Sequence, residues 1–451
     1  MLFAAIDATR RVTPVQLDRT RKGNQFLKFG LSGTCLAARS RMRQNPRVRR
    51  EKSRRGAAAT LLFLASAAIV FAKSSTVSAQ LEPAAPRTPG WVFTPAINFG
   101  GTWNDNILLA EPNDDLAQDY ATPVGPSIGL DYTGRRASMS ASYTGSFLFY
   151  QTLDELNTTT QQLQASWNHR ASRRITLFAQ ENFSRTPTTD ALELTAVPFY
   201  RVGTTTNTVR GGVEALLVRN TTLRTDYGFT SVEFEDDNAL GANLLGGYQH
   251  EMLVTLARAL SQRLSLGGEY QLRRAVLVEG DDRFNIHTGT LRADYQLSPS
   301  TSVSGSAGLS RMGAGATHEA RTGPVLQATI TRRIRLTVLS AMYHRSFIPS
   351  WGFGGTFQNE GWTGNAHVPF GRNRFYVDGS IARMEADALD PAQASLTSLW
   401  TTGSLGYRAT RWLTMEGYYS HARQNSQVAG GDRRRNELGF RIVAARPMRL
   451  R

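Results

Sequence analysis

Apolar and polar residues alternate one for one along most of the chain beyond residue 90. This is the period of a strand whose two faces meet different surroundings. Leu264, Leu266, Gly268, Tyr270 and Leu272 make one face of such a strand, and Ser265, Gly267, Glu269, Gln271 and Arg273 make the other. The same split sets Met139, Ala141, Tyr143, Phe147 and Phe149 against Ser138, Ser140, Ser142, Thr144 and Ser146. It also sets Leu223, Thr225, Tyr227 and Phe229 against Arg224, Asp226, Gly228 and Thr230. Met252–Leu264 fits helical spacing as well, and only its place in the series assigns it to a strand and turn. Arg258 then shares the phase of Leu256 and Leu260 and has to snorkel to an interface.

Short polar turns punctuate these strands at Arg136, Arg173, Asn220, Arg263, Ser300, Arg333, Asn373 and Arg411, with gaps of 37, 47, 43, 37, 33, 40 and 38 residues. Each gap holds an outgoing strand, a long polar connection and a returning strand. Tight turns on one side and long loops on the other are the layout of a transmembrane β-barrel. Eight turns join sixteen strands, and Val92–Trp103 and Asn436–Ala444 add one at each end. The fold class expected is all-β: an antiparallel up-and-down barrel of about eighteen strands (16–20), with short periplasmic turns and long extracellular loops. Tyr132, Trp167, Tyr295 and Tyr407 precede turns in the phase of Leu130, Leu163, Leu291 and Leu405. Matching phase and depth mark them as an interfacial aromatic girdle. Strand aromatics facing a sandwich core are the competing explanation.

Charge changes the picture only once it is divided. The formal net charge of +16 is concentrated in residues 1–79, which hold 16 Lys and Arg against Asp7, Asp18 and Glu51. The rest of the chain carries 36 Arg, no Lys and 33 carboxylates, which removes the case for nucleic acid. Within the first segment a basic stretch from Arg47 to Arg55 precedes the apolar run 56–72, and Val77-Ser78-Ala79 suits cleavage before Gln80. The expected organisation is an N-terminal extension at 1–41 (Met42 offers an alternative start), a signal peptide at 42–79, a linker at 80–90 and a barrel at 91–451. The single cysteine, Cys35, falls in the extension, so the exported chain has no disulfide framework. No later run of apolar residues is long enough for a membrane helix, which needs ~20. A membrane location therefore requires a closed barrel.

The inward phase mixes signs: Arg224, Asp226, Glu269, Arg273, Arg292, Asp294, Arg335, Asp378 and Glu416 are the candidate lumen-lining residues. They either pair across strands and keep the lumen wet, or set a field that screens solutes. Loop carboxylates such as Asp105, Glu111, Asp114, Asp115 and Asp119 lack EF-hand spacing, and a charge run is usually a solvated face. No metal or other cofactor is expected. The seven histidines are scattered outside any nucleophile motif, and His421 beside Ser420 points to the opposite face of its strand. An enzyme is not expected. Gly352-Phe-Gly-Gly355 precedes no helix and is not a phosphate cradle.

The opening hairpin reads Ala96-Ile-Asn-Phe-Gly-Gly-Thr-Trp-Asn-Asp-Asn-Ile-Leu-Leu109, an acidic loop, then Pro123-Val-Gly-Pro-Ser-Ile-Gly-Leu-Asp-Tyr-Thr-Gly-Arg-Arg136. It resembles the β-barrel porin family associated with exopolysaccharide export systems of Gram-negative bacteria, over about residues 91–444. The resemblance implies an outer-membrane barrel that lets polysaccharide out or supports the machinery that does. It carries over no catalytic residue. One departure is the C-terminus: such barrels commonly end in an aromatic, whereas this chain ends Arg446-Pro-Met-Arg-Leu-Arg451, with Phe440 further back. The expected function is a passive conduit for polysaccharide or oligosaccharide. The rivals are a plugged structural barrel whose loops bind surface polymer, and a secreted all-β binding protein. Expected partners are outer-membrane lipid, the barrel insertion machinery and polysaccharide cargo or export proteins, with no nucleic acid.

Overall fold

The computed structural model describes residues 89–450 apart from 113, 190–196, 236–243, 279–281, 316–318, 353–354, 390–394 and 428–430. The expected extension, signal peptide and Cys35 lie outside the described residues, as does nearly all of the linker.

Strand alternation becomes one closed antiparallel wall. Its strands are β1 (Gly90–Asn104), β2 (Asp119–Thr133), β3 (Ala137–Tyr150), β4 (Thr158–Arg170), β5 (Ile175–Thr186), β6 (Thr204–Val218), β7 (Thr221–Phe234), β8 (Gly247–Ala259) and β9 (Leu264–Leu277). They continue as β10 (Asp282–Ser298), β11 (Thr301–Met312), β12 (Arg321–Ile334), β13 (Thr337–Pro349), β14 (Thr356–Phe370), β15 (Phe375–Ala388), β16 (Leu396–Arg408), β17 (Leu413–Ser426) and β18 (Arg433–Ala445). Each strand pairs with its sequence neighbours, and β1 pairs with β18 from Ala96↔Ala445 to Asn104↔Glu437. Closure leaves no free edge, so every strand finds backbone partners on both sides. After Arg446-Pro447 the chain rejoins β1 at Trp91–Phe93 through Met448–Leu450, which extends β18 rather than adding a strand.

The terminal strands are longer than the alternation marks: β1 starts at Gly90 and β18 at Arg433. Met252 belongs to β8, so the segment with helical spacing is strand and turn. The connection 151–157 between β3 and β4 is short and carries a 3₁₀ turn at Asp154–Leu156. Asp119, expected as a loop carboxylate, accepts the backbone N–H groups of Thr152 and Leu153 and fixes the start of this connection.

The periplasmic turns share a local solution. The hydroxyl oxygens of Ser172, Ser261 and Thr410 each accept the backbone N–H groups two and three residues on. A short polar side chain thus replaces a ladder partner where the chain reverses. Other turns use left-handed backbone instead, at Asn220 (φ 88°), Arg335 (φ 56°) and Gly371-Arg372-Asn373 (φ 58°, 56° and 68°).

One face of the wall is apolar and uncovered. Leu291 is 77% exposed, Leu309 63%, Leu438 59% and Ile97 58%. Their registers keep them on one side: Leu291 faces Gly268 and Ala307, and Ile97 faces Ala444. Such a continuous band would aggregate in water and is the surface that lipid covers. The protein is a transmembrane barrel of the outer-membrane type.

Close strand approach is enforced at Gly308, where a Cβ would lie 1.9 Å from the Gly289 carbonyl oxygen. At Gly289 a Cβ would meet nothing within 4 Å. Gly308→Val is expected to destabilise the barrel by ~1–3 kcal/mol and lower its urea midpoint, while Gly289→Ala leaves it unchanged. Equal midpoints for the two variants would contradict this packing.

Candidate functional site: the lumen and its mouth

The other face of the wall lines the lumen, and register decides which residues reach it. Arg224, Asp226, Glu269, Arg273, Arg292, Asp294, Asp378 and Glu416 lie on the inward phase. Arg335 does not. It sits in the turn after β12 with a positive φ, because β12 runs on to Ile334 and the turn falls two residues later than the Arg333 anchor. Tyr132, Trp167, Tyr295 and Tyr407 are on the outward phase near the periplasmic strand ends, with Tyr132 against Trp91 at 4.7 Å and Tyr407 against Phe375 at 4.8 Å between ring centroids. Arg258 is outward, opposite Thr221 at the turn.

Inward charges form connected networks across β6 to β10. The Arg210 guanidinium donates to Asp226 at 2.9 Å and to Glu251. Arg224 reaches the other Asp226 oxygen at 3.2 Å and lies over the Phe178 ring. Arg273 pairs with Glu251 at 3.3 Å, and Arg292 with Asp294 at 2.9 Å and Glu269 at 4.0 Å. Four guanidinium groups thus face four carboxylates. Elsewhere Glu416 accepts from Arg441 and the Tyr376 hydroxyl, and His367 Nδ1 meets Asp378 at 2.6 Å. Sequence reading missed Arg210 and Glu251, the centre of the main network. Glu251 abuts the ambiguous Met252 segment, while Arg210 is readable from its alternation with Val209 and Val213.

The wall formed by β1 to β5 is different. Thr94, Ser127, Ser140, Ser142, Thr144, Gln164, Ser166, Gln180 and Asn182 line a cavity of about 500 Å³, with Asp131 and Arg411 as its only charged lining residues. Its hydroxyls and amides both donate and accept hydrogen bonds.

Toward the extracellular end the inward face turns apolar without changing phase. On β9, Glu269, Gln271 and Arg273 give way to Ala275 and Leu277; on β15, Asp378 and Ser380 give way to Ala382, Met384 and Ala386. Loops cover these ends. Val197 packs with Val232, Leu277, Ile286 and Met312, while Phe199 packs with Leu396, Met384 and Trp400. The Gln424 side chain, 1% exposed, accepts the Phe199 N–H at 2.8 Å and donates to the Val197 carbonyl at 3.0 Å. The loop from β5 to β6 therefore reaches β17. The shorter way round the wall passes β4, β3, β2, β1 and β18, so this segment crosses the mouth. A second crossing joins the β7–β8 and β13–β14 loops through paired backbone bonds between Leu245 and Gly352, both 2.9 Å. Arg201 ties the first crossing down through the Ile107 and Leu156 carbonyls.

No triad-like constellation assembles among the described residues: Ser420 donates inward to Glu437, and His421 bonds Asn436 on the outer face. Nor does any group of three metal-ligating side chains.

No family model and no curated protein matches the chain. Among solved structures it is similar to OccAB4 of Acinetobacter baumannii, with TM-score 0.45 and 11% identity, covering 81% of this chain and 100% of that one. It is also similar to OccAB3 of the same organism, with TM-score 0.42 and 11% identity over 79% and 99% of the two chains. OccK7 (OpdD) of Pseudomonas aeruginosa gives TM-score 0.41 and 13% identity over 80% and 100%.

Proposed function

We propose that the protein is a porin-like conduit of the outer membrane, gated at its extracellular mouth, for uncharged hydroxyl-rich solutes. A saccharide chain leaving the periplasm is the cargo this reading favours. The observation that carries it is the lumen itself: a broad wall of Ser, Thr, Asn and Gln side chains beside charges that neutralise one another within the wall. A neutral polyol can exchange hydrogen bonds along such a surface, and paired charges exert little net pull on an ion. The resemblance of the opening hairpin to exopolysaccharide-associated porins agrees with that cargo.

The crossing loops favour a second reading, a plugged barrel that presents its loops to surface polymer. Single-channel recording of the purified protein in a planar bilayer separates the two. A conduit gives discrete openings that neutral dextran oligomers interrupt, and more readily from the periplasmic side. An inserted barrel that stays silent even after the 187–203 loop is shortened would establish the plugged form.

A further inference from the structure

The two ends of the barrel carry opposite charge. The eight periplasmic turns (134–136, 171–174, 219–220, 260–263, 299–300, 335–336, 371–374 and 409–412) contain ten arginines and no carboxylate. Only the Pro299-Ser300 turn lacks an arginine. The nine connections at the other end contain sixteen carboxylates and one arginine, Arg201.

Lumen arginines and turn arginines also differ in what they touch. Arg210, Arg224, Arg273, Arg292 and Arg441 are all held in ion pairs. None of the ten turn arginines takes part in an ion pair among the described residues, and all ten are exposed. A ring of cations with no internal partner needs an external one, or water.

We propose that this rim binds the phosphate headgroups of anionic phospholipids in the periplasmic leaflet of the outer membrane. Three features favour this partner. The arginines follow directly on the aromatic girdle: Arg135 comes three residues after Tyr132, and Arg374 adjoins Phe375. Aromatics at the interface place the next residues at headgroup depth. The ring also runs round almost the whole circumference, as surrounding lipid does, whereas a docked protein would mark one sector. Finally, a soluble anion drawn to the rim would meet a charge-balanced lumen and then acidic loops, a sequence that opposes its passage. Guanidinium matches phosphate oxygens with two parallel hydrogen bonds, which suits arginine to this role.

The test is the full-length protein in phosphatidylcholine vesicles that contain brominated phosphatidylglycerol or brominated phosphatidylcholine. Bromine quenches tryptophan fluorescence on contact, and Trp91 and Trp167 lie near the rim on the outer side. Phosphatidylglycerol is expected to be preferred by roughly threefold to tenfold. That preference should fall in ~1 M salt, where the Debye length is about 3 Å. It should approach parity in the combined variant Arg135→Gln, Arg136→Gln, Arg173→Gln, Arg174→Gln, Arg372→Gln and Arg374→Gln. Equal quenching by the two lipids in the unaltered protein overturns the proposal, whatever the variant does. So does a preference that survives in a folded variant. In a third arm, inorganic polyphosphate is added to vesicles of phosphatidylcholine alone. Polyphosphate that binds the rim, with no lipid preference in the first arm, assigns the ring to a soluble anion instead.

Discussion

Phe199→Ala combined with Gln424→Ala should turn a mostly closed channel into a mostly open one. Phe199 is the aromatic anchor of the mouth-crossing loop, 5.2 Å from the Trp400 ring and buried to 3%. Truncating such a side chain costs ~3–5 kcal/mol. Gln424 holds the same segment through the Phe199 N–H, the Val197 carbonyl and the Ser398 hydroxyl, and its loss leaves those groups unpaired at ~1–3 kcal/mol. A shift of even 4 kcal/mol changes a closed-to-open ratio by several hundredfold. The wall should survive, because its ladders do not pass through the loop. Single-channel recording would show long openings of higher current, with heat-modifiable migration on a gel unchanged. Identical current and dwell times in the variant would mean that this crossing does not limit the passage.

The second large effect is expected from Arg210→Met. Arg210 bridges Asp226, 2% exposed, and Glu251, 8% exposed. Each carboxylate retains one other arginine, Arg224 and Arg273 respectively, so the network is weakened rather than abolished. Removing one partner from a buried ionic group typically costs ~3–5 kcal/mol. The wall also changes from four cations facing four anions to three facing four. Two measurements should therefore move together: the urea midpoint falls, and the reversal potential in a KCl gradient shifts toward cation preference. Adding Glu251→Leu should return the reversal potential toward that of the unaltered protein. A reversal potential indifferent to Arg210→Met would remove the network from any role in screening ions.

Both predictions rest on features that sequence reading treated unequally. Alternation in β9 named Glu269 and Arg273 as inward, and their register with β10 agrees. The same alternation runs on to Ala275 and Leu277, apolar residues on what should be a wet surface. Taken across β7, β9, β10 and β15, that reversal signals that something covers the inner face near the mouth. It is faint on any one strand, where two apolar residues near a loop are unremarkable. Arg335 shows the opposite limit. A slip of two residues in one turn removes a candidate from the lumen, since only pairing partners define where a strand ends.

What the sequence by itself determined is the wall: a period of two, a turn about every forty residues and two chemically distinct faces. These are local properties, because a strand's side chains alternate whatever the strand pairs with, and a tight turn is encoded within a few residues. Closure through β1 and β18 follows from them once a lipid setting forbids a free edge. Only the tertiary structure decided what happens inside. The reach of Gln424 to a loop more than two hundred residues away in sequence, the Leu245–Gly352 crossing and the centring of the main ionic network on Arg210 depend on which strands face each other across the lumen. No periodicity along the chain records that distance, which is set by strand number and tilt acting on the barrel as a whole.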